Sequence, residues 1–221
     1  MVKKLIIFLG PPGSGKSTLS MLLGKLYGCR VISIKSGNLF TYLFLDVFLV
    51  GLLSKIYKTP KSRWVVVELW KGFGRILGVI KLLDLICLPL ALLVKVWLPM
   101  RLGCCVVADE FLQSTLTDYI YFNWISSSCK RSFDFFIRFL LRLLGSFKGH
   151  VIFLTAKEDI LKQRWNLRRR GEPSRTYMLF QYTVLRRVAK LSSSFIYVDT
   201  SSIGILDTIK IMSQHIRSFS S

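Results

Sequence analysis

LIIFLGPPGSGKSTLS, residues 5–20, is the stretch that decides the fold. Residues 10–17 match G-x-x-x-x-G-K-[ST] at every fixed position, between an apolar run typical of a buried strand and a segment typical of a helix. Glycines let the backbone wrap closely around phosphate, and the N–H groups of the loop and of the helix N-terminus attract its charge. The stretch therefore predicts a nucleotide-binding loop, and the alternative is a glycine-rich turn that only joins strand to helix. The predicted nucleotide-binding residues of this loop are Gly10, Gly13, Ser14, Gly15, Lys16, Ser17 and Thr18.

Four side chains carry the predicted chemistry of phosphate and metal binding. Lys16 neutralises the charge of the β- and γ-phosphates, and the hydroxyl of Ser17 reaches Mg²⁺. Asp109 follows the apolar run CCVVA, where a carboxylate can orient the water shell of Mg²⁺ opposite the loop; the alternative is a helix cap. Glu110 is either a base that activates water or a solvated, ion-paired residue.

Five apolar runs rich in β-branched residues alternate with helical segments along the chain. This order indicates an α/β domain with a parallel sheet that is covered on both faces. We expect one domain over residues 1–221. The predicted strands are residues 5–9, 31–34, 104–108, 151–154 and 195–198, and the clearest helices are residues 18–26, 132–144 and 205–216.

Residues 36–103 separate the second and third predicted strands and are too many for a structureless loop. They predict a helical insertion, interrupted at Pro89 and Pro99, beside the carboxyl edge of the sheet, where open α/β sheets bind ligands. Charged residues interrupt every apolar run before it reaches the roughly 20 residues of a bilayer span. We therefore expect core-facing helices and no transmembrane segment, with contact to a membrane surface as the alternative.

The sequence LKQRWNLRRRGEPSR follows the fourth predicted strand and is rich in arginine. Arg164 and Arg168 are four residues apart and share one helix face. Guanidinium groups on a mobile flap can close over the γ-phosphate and neutralise its charge, so residues 163–176 are predicted to be a lid. In this prediction Arg164 and Arg168 are catalytic and Arg169 binds nucleotide. The alternatives are a solvated basic helix face and a patch that binds nucleic acid.

The formal net charge is +20, from 32 Lys and Arg against 12 Asp and Glu. This excess favours polyanions, which include nucleic acid, anionic lipid and small phosphorylated substrates. The five cysteines contain no C-x-x-C pair, and the two histidines offer no zinc spacing. We expect the reducing cytoplasm, no signal peptide, strand packing for Cys104 and Cys105 with no redox chemistry, and a loop position for His150.

The order of these parts resembles that of the nucleoside monophosphate kinases, and of thymidylate kinase most of all. The resemblance spans nearly the whole chain. It implies a three-layer P-loop NTPase fold with a five-stranded parallel sheet in the order 2-3-1-4-5. It also implies ATP and Mg²⁺ as cofactors and transfer of the γ-phosphoryl group to a small acceptor, most simply a nucleoside monophosphate, held by residues 36–103. A homodimer is left open.

The acceptor half departs from the family. The family's third strand ends in Asp-Arg, whereas this chain has Asp109-Glu110, and the family's second acceptor-binding arginine has no counterpart in LICLPLALL. A thymidylate kinase-like protein with a different acceptor is therefore expected. The alternatives are a nucleotide-binding scaffold without catalysis and an ATP hydrolase or switch with a macromolecular partner, in which Glu110 activates water; nucleic acid is not the favoured partner. Residues that could compensate for the missing arginines, among which spacing does not choose, are Arg75, Lys81, Lys95 and Arg101.

Overall fold

The computed structural model describes residues 4–34, 74–126, 130–147, 149–168, 175–190, 192 and 194–218. Within them, five parallel strands form one sheet in the order β2-β3-β1-β4-β5. The predicted α/β fold class and its strand order are confirmed. The strands are β1 (Leu5–Leu9), β2 (Arg30–Ser33), β3 (Val106–Glu110), β4 (His150–Thr155) and β5 (Ser194–Asp199).

Helices connect the strands and cover both faces of the sheet. A π-helical turn, Leu93–Trp97, joins α2 to α3 without a break in the helical path. The helices in the described part of the chain are α1 (Lys16–Tyr27), α2 (Gly74–Leu92), α3 (Leu98–Arg101), α4 (Leu112–Ser126), α5 (Lys130–Ser146), α6 (Glu158–Arg168), α7 (Arg175–Ala189) and α8 (Ile205–Ser218).

Alternation along β1 divides the core into two layers, because successive side chains of a strand point to opposite faces. Leu5, Ile7 and Leu9 pack with side chains of α2, α4, α5 and α7. Ile6 and Phe8 pack with side chains of α1 and α8 on the other face. All five residues of β1 are buried, which explains why this strand has no polar residue.

The predicted helical insertion is described only from Gly74 onward, and there it is helical to Arg101. The predicted interruption at Pro89 is wrong, because Pro89 lies inside α2. Residues 35–73 lie outside the described residues. The single-domain assignment and the binding of an acceptor by residues 36–103 stay predictions.

One helical stretch in the described residues, Leu82–Arg101, is long and apolar enough to cross a membrane, with a mean hydropathy of 2.0 and 28% of its most apolar window buried. A search for apolar runs without charged residues does not identify this stretch as a membrane span, because Asp84 and Lys95 interrupt it. Asp84 is fully buried and accepts a hydrogen bond from the hydroxyl of Tyr119 on α4. This face of α2 is thus packed against the domain, and the absence of a transmembrane segment stays a prediction.

Two expectations about individual residues are wrong. Cys29, before β2, and Cys105, before β3, form a disulfide, so Cys105 does more than pack; Cys104 is an exposed free thiol. His150 is the first residue of β4 and lies in no loop. Its Nδ1 is 2.9 Å from the hydroxyl of Ser194 on β5, and burial lowers the pKa of its ring, with smaller contributions from neighbouring positive charges.

Candidate phosphate-binding site

The carboxyl ends of the strands meet around the loop of residues 10–17. Ile7 of β1 pairs with Ala108 of β3, so Asp109 and Glu110 follow beside the last residues of β1. Leu9 pairs with Phe153 of β4, which sets the start of the loop beside the end of β4. Parallel pairing thus places the loop and the acidic end of β3 at one edge, as the sequence predicts.

Glycine is required at two positions of the loop. Gly10 has φ 141°, and a Cβ atom there would overlap the carbonyl oxygen of Leu154 at the end of β4. Gly13 has φ 84°, and a Cβ atom there would lie 2.7 Å from Nε1 of Trp165. Both positions combine a left-handed backbone with close neighbours, so any side chain there would displace the loop.

The N-terminus of α1 is left open for an anion. Gly15, its N-cap, has φ 94° and supplies no capping side chain, and the first turn contains no acidic residue. The first N–H groups of α1 and the positive end of its dipole are therefore not neutralised locally. Ser17 and Thr18, which belong to the predicted nucleotide-binding set, are both exposed at this end.

Lys16 lies over the loop. Its Nζ donates hydrogen bonds to the carbonyl oxygens of Gly10 at 2.8 Å and Pro11 at 2.9 Å. The half-buried ammonium group is thus held by the backbone of the same loop that would bind phosphate. Its predicted role toward the β- and γ-phosphates stays a prediction.

Asp109 has the properties expected of a residue that orients bound Mg²⁺. It lies within β3, one residue before the strand ends, and its Oδ1 is buried with no hydrogen-bond partner among the described residues. An unpaired buried carboxylate oxygen is costly unless a ligand completes it. Within the described residues no group of three His, Cys, Asp or Glu side chains could hold a metal, so a cation here would need Ser17, water and phosphate as well.

Arg164 connects three parts of the site. From α6, its Nη1 donates to the carbonyl oxygen of Gly13 at 3.1 Å and to Oγ1 of Thr200 at 3.0 Å, and its Nη2 donates to the carbonyl oxygen of Thr200 at 3.0 Å. The hydroxyl of Thr200, just after β5, lies 2.9 Å from the carbonyl oxygen of Thr155 and 3.3 Å from that of Ser14. Arg164 thus fixes the loop to the ends of β4 and β5, and its predicted contact with phosphate stays a prediction.

Thr200 and Trp165 belong to the site but are absent from the sequence prediction. Trp165 is 5% exposed and packs with Leu161 of α6 behind Gly13. In the sequence, Thr200 is marked only by its place after a strand and Trp165 only by its place next to Arg164. Many residues share such positions, so neither one indicates a site. Contact with the loop is a tertiary property that no local pattern encodes.

The rest of the predicted lid is only partly described. Arg168 is the last residue of α6, its side chain lies outside the described atoms, and Arg169 lies outside the described residues. Arg175 begins α7, is exposed, and its Nε is 3.9 Å from a carboxylate oxygen of Glu158. A lid over residues 163–176 and the catalytic roles of Arg164 and Arg168 stay predictions.

Lys95 and Arg101, two of the four cations that could compensate for the missing arginines, lie in different surroundings. The guanidinium carbon of Arg101 lies 5.1 Å from the ring centroid of Trp97, on the exposed side of the helix. Nζ of Lys95 lies 3.5 Å from the carbonyl oxygen of Ser33, the last residue of β2 and therefore part of the carboxyl edge. The side chains of Arg75 and Lys81 lie outside the described atoms.

Comparison with solved structures supports the same architecture. No protein-family model and no curated protein matches the chain. Deoxyadenosine kinase from M. mycoides with bound dATP superposes with a TM-score of 0.60 at 15% identity, covering 96% of this chain and 99% of the kinase. The same enzyme with bound dCTP gives 0.58 at 15% identity, with 97% and 99% covered. Thymidylate kinase from Candida albicans gives 0.57 at 14% identity, with 98% and 92% covered.

The chain has the fold of the P-loop kinases. Both kinds of kinase align with this chain over nearly their whole length. The resemblance to the nucleoside monophosphate kinases is thereby confirmed for the fold. At these identities the likeness carries no assignment of substrate.

Proposed function

We propose that this P-loop kinase-fold protein transfers the γ-phosphoryl group of ATP, with Mg²⁺, to a nucleoside or a nucleoside monophosphate. The observation that carries the proposal is Oδ1 of Asp109, which is buried at the strand end beside an open phosphate-binding loop and has no hydrogen-bond partner among the described residues. A purely structural aspartate would have its hydrogen bonds satisfied by the protein. An oxygen left unpaired beside a helix N-terminus suits a hydrated cation that accompanies phosphate.

Each residue of the site has a separate task in this proposal. The N–H groups of the loop and of the first turn of α1 bind the β-phosphate, and Lys16 balances charge on the transferred group. Ser17 and Asp109 would hold Mg²⁺, which when bound neutralises charge between the β- and γ-phosphates. Arg164 holds the loop in register through the carbonyl oxygen of Gly13.

In this proposal the acceptor is a nucleoside or a nucleoside monophosphate. The choice of this class of small molecule rests on the fold. The structures that superpose on this chain are, by name, a deoxyadenosine kinase and a thymidylate kinase, which are named for a nucleoside and a nucleotide. Glu110, half-buried beside Asp109, replaces the arginine of the thymidylate kinase pattern, which speaks against thymidylate itself. A cytoplasmic location stays a prediction, a homodimer stays open, and nucleic acid stays a possible partner that is not favoured.

The test is acceptor-dependent formation of ADP. Purified protein, ATP and Mg²⁺ are incubated with nucleosides and nucleoside monophosphates one at a time, and ADP and the phosphorylated product are quantified by ion-exchange chromatography. We expect equal amounts of ADP and product for at least one acceptor. ADP formation at the same rate with every acceptor and with none, without phosphorylated product, would contradict the proposal and favour the hydrolase alternative.

Matched substitutions locate the activity at this site. Lys16→Met is expected to lower kcat/KM by about 10²- to 10³-fold, because a charge that stabilises the transferred group is lost. Lys25→Met is the control, since Lys25 is an exposed residue in the last turn of the same helix. Asp109→Asn is expected to raise the Mg²⁺ concentration needed for half-maximal rate, while Asp134→Asn, exposed on α5, leaves it unchanged.

A further inference from the structure

Lys95 is turned toward the sheet on a helix that exposes large apolar residues. It is half-buried, and its Nζ lies 3.5 Å from the carbonyl oxygen of Ser33, its one hydrogen-bond partner in the described part of the chain. A lysine on an exposed helix ordinarily extends its ammonium group into water. The exposed apolar residues of the surrounding helical stretch are Leu82, Ile86, Leu90, Leu93, Val94, Trp97, Leu98 and Leu102.

The direction of the helix explains where the ammonium group lies. The stretch from α2 to α3 feeds into the start of β3, since N–H of Cys104 donates to the carbonyl oxygen of Pro99. It therefore runs from the carboxyl edge of the sheet to the amino edge. Because helical side chains lean toward the helix N-terminus, Lys95 leans toward the carboxyl edge, where β2 ends.

Lys95, Ser33 and Glu110 together form a corner at the carboxyl edge of the sheet, and two backbone irregularities lie there. Lys95 is the central residue of the π-helical turn Leu93–Trp97, and such turns are frequent at functional sites. The register of β2 against β3 shifts between Ile32 and Ser33, so that Ser33 pairs with Glu110. Bulges also recur beside active sites, where they redirect side chains.

Polar groups at the corner are incompletely satisfied. A distance of 3.5 Å is at the long limit for a hydrogen bond, so the carbonyl oxygen of Ser33 balances little of the charge of Lys95. The hydroxyl of Ser33 is buried without a hydrogen-bond partner in the described residues. A cation and a hydroxyl donor together suit the oxygens of a phosphate group.

We propose that Lys95 binds the phosphate of the acceptor, so that the acceptor is a nucleoside monophosphate and its phosphate oxygen attacks the γ-phosphorus of ATP. The bond from the γ-phosphorus to the β,γ-bridging oxygen breaks, ADP leaves, and a nucleoside diphosphate forms. The inference rests on the proposed function. Ser33 pairs with Glu110 on the neighbouring strand, so Lys95, whose Nζ reaches the carbonyl oxygen of Ser33, supplies a positive charge close to the end of β3, where the thymidylate kinase pattern has an arginine.

The experiment measures KM for the best nucleoside monophosphate, kcat and the Kd for ATP in three variants. Lys95→Met is expected to raise the acceptor KM at least tenfold, with the Kd for ATP within twofold of wild type. Lys95→Arg should restore most of the affinity, because it keeps the charge. Arg101→Met is the matched control: it removes the exposed cation on the same helical stretch and should leave the KM unchanged.

The outcomes separate this inference from the function on which it rests. A wild-type protein that phosphorylates neither nucleosides nor their monophosphates defeats the proposed function. Phosphorylation of nucleosides alone, or an acceptor KM that Lys95→Met and Arg101→Met change equally, overturns the role of Lys95 and leaves the kinase assignment intact. A loss of activity in Lys95→Met through a weaker Kd for ATP, with unchanged acceptor KM, also overturns it.

Discussion

Replacing Arg164 by lysine tests whether the hydrogen bonds of its guanidinium group position the phosphate-binding loop. The guanidinium group makes three hydrogen bonds, one to Gly13 and two to Thr200, in a fork that joins segments far apart in sequence. A lysine keeps the charge but offers one compact ammonium group, which can reach one of these acceptors at this spacing. The substitution therefore removes about two charge-assisted hydrogen bonds and leaves the net charge unaltered.

The expected loss follows from the geometry. A hydrogen bond from a charged donor contributes about 1.5–3 kcal/mol, and Arg164 is only half-buried, so the lower value applies and solvent reduces it further. Two such bonds give a loss of about 2 kcal/mol in the free energy of unfolding. For a domain of this size that corresponds to a fall in Tm of about 4–8 °C. If about half of this loss, about 1 kcal/mol, also weakens the binding of ATP by the loop, the Kd for ATP rises about fivefold.

Differential scanning calorimetry and titration of ATP into wild-type and variant protein measure both effects. Arg138→Lys is the matched control, because Arg138 is exposed on α5 and its Nε donates a hydrogen bond to the carbonyl oxygen of Asp134 in the same helix, at 3.3 Å. It should lower the Tm by less than about 2 °C. An Arg164→Lys protein with the Tm and the Kd of wild type would refute the claim that Arg164 positions the loop.

Three further predictions concern other parts of the molecule. Trp165→Phe should change the unfolding free energy in urea by less than about 1 kcal/mol, because Nε1 has no hydrogen-bond partner among the described residues and its removal offsets the smaller ring. Trp165→Ala should cost about 3–5 kcal/mol, and equal losses in the two variants would reveal a partner for Nε1. The folded state lowers the pKa of His150 below that of the unfolded chain, so stability should fall as the pH drops below about 6.5, and His150→Gln should flatten the profile of Tm against pH between about 7 and 5. The disulfide between Cys29 and Cys105 spans 76 residues, so reductant should lower the Tm of wild type but not of Cys29→Ser, and oxidised protein should titrate two fewer thiols than reduced protein.

The donor half of the site could be predicted from sequence because it is local. Residues 10–17 predict strand, turn and helix within one continuous segment, and in the structure Lys16 contacts the loop while the end of β3 lies beside the end of β1. Asp109 was found because a buried strand ends beside it. Arg164 was found for its charge, but its three contacts connect residues far apart in the chain, and no spacing rule encodes them.

The acceptor site proposed at Lys95 could not be predicted from sequence, because it depends on two backbone irregularities. The π-helical turn Leu93–Trp97 departs from the roughly 100° between successive residues of a regular helix, so it changes the direction in which Lys95 leaves the helix. A regular ladder between β2 and β3 would pair Ser33 with Asp109 and carry Glu110 past the corner. Propensity and periodicity describe regular elements, so sequence reasoning left four cations equivalent at this edge. The π-helical turn and the register shift distinguish Lys95, whose Nζ lies beside Ser33, the residue that pairs with Glu110 where the thymidylate kinase pattern has an arginine.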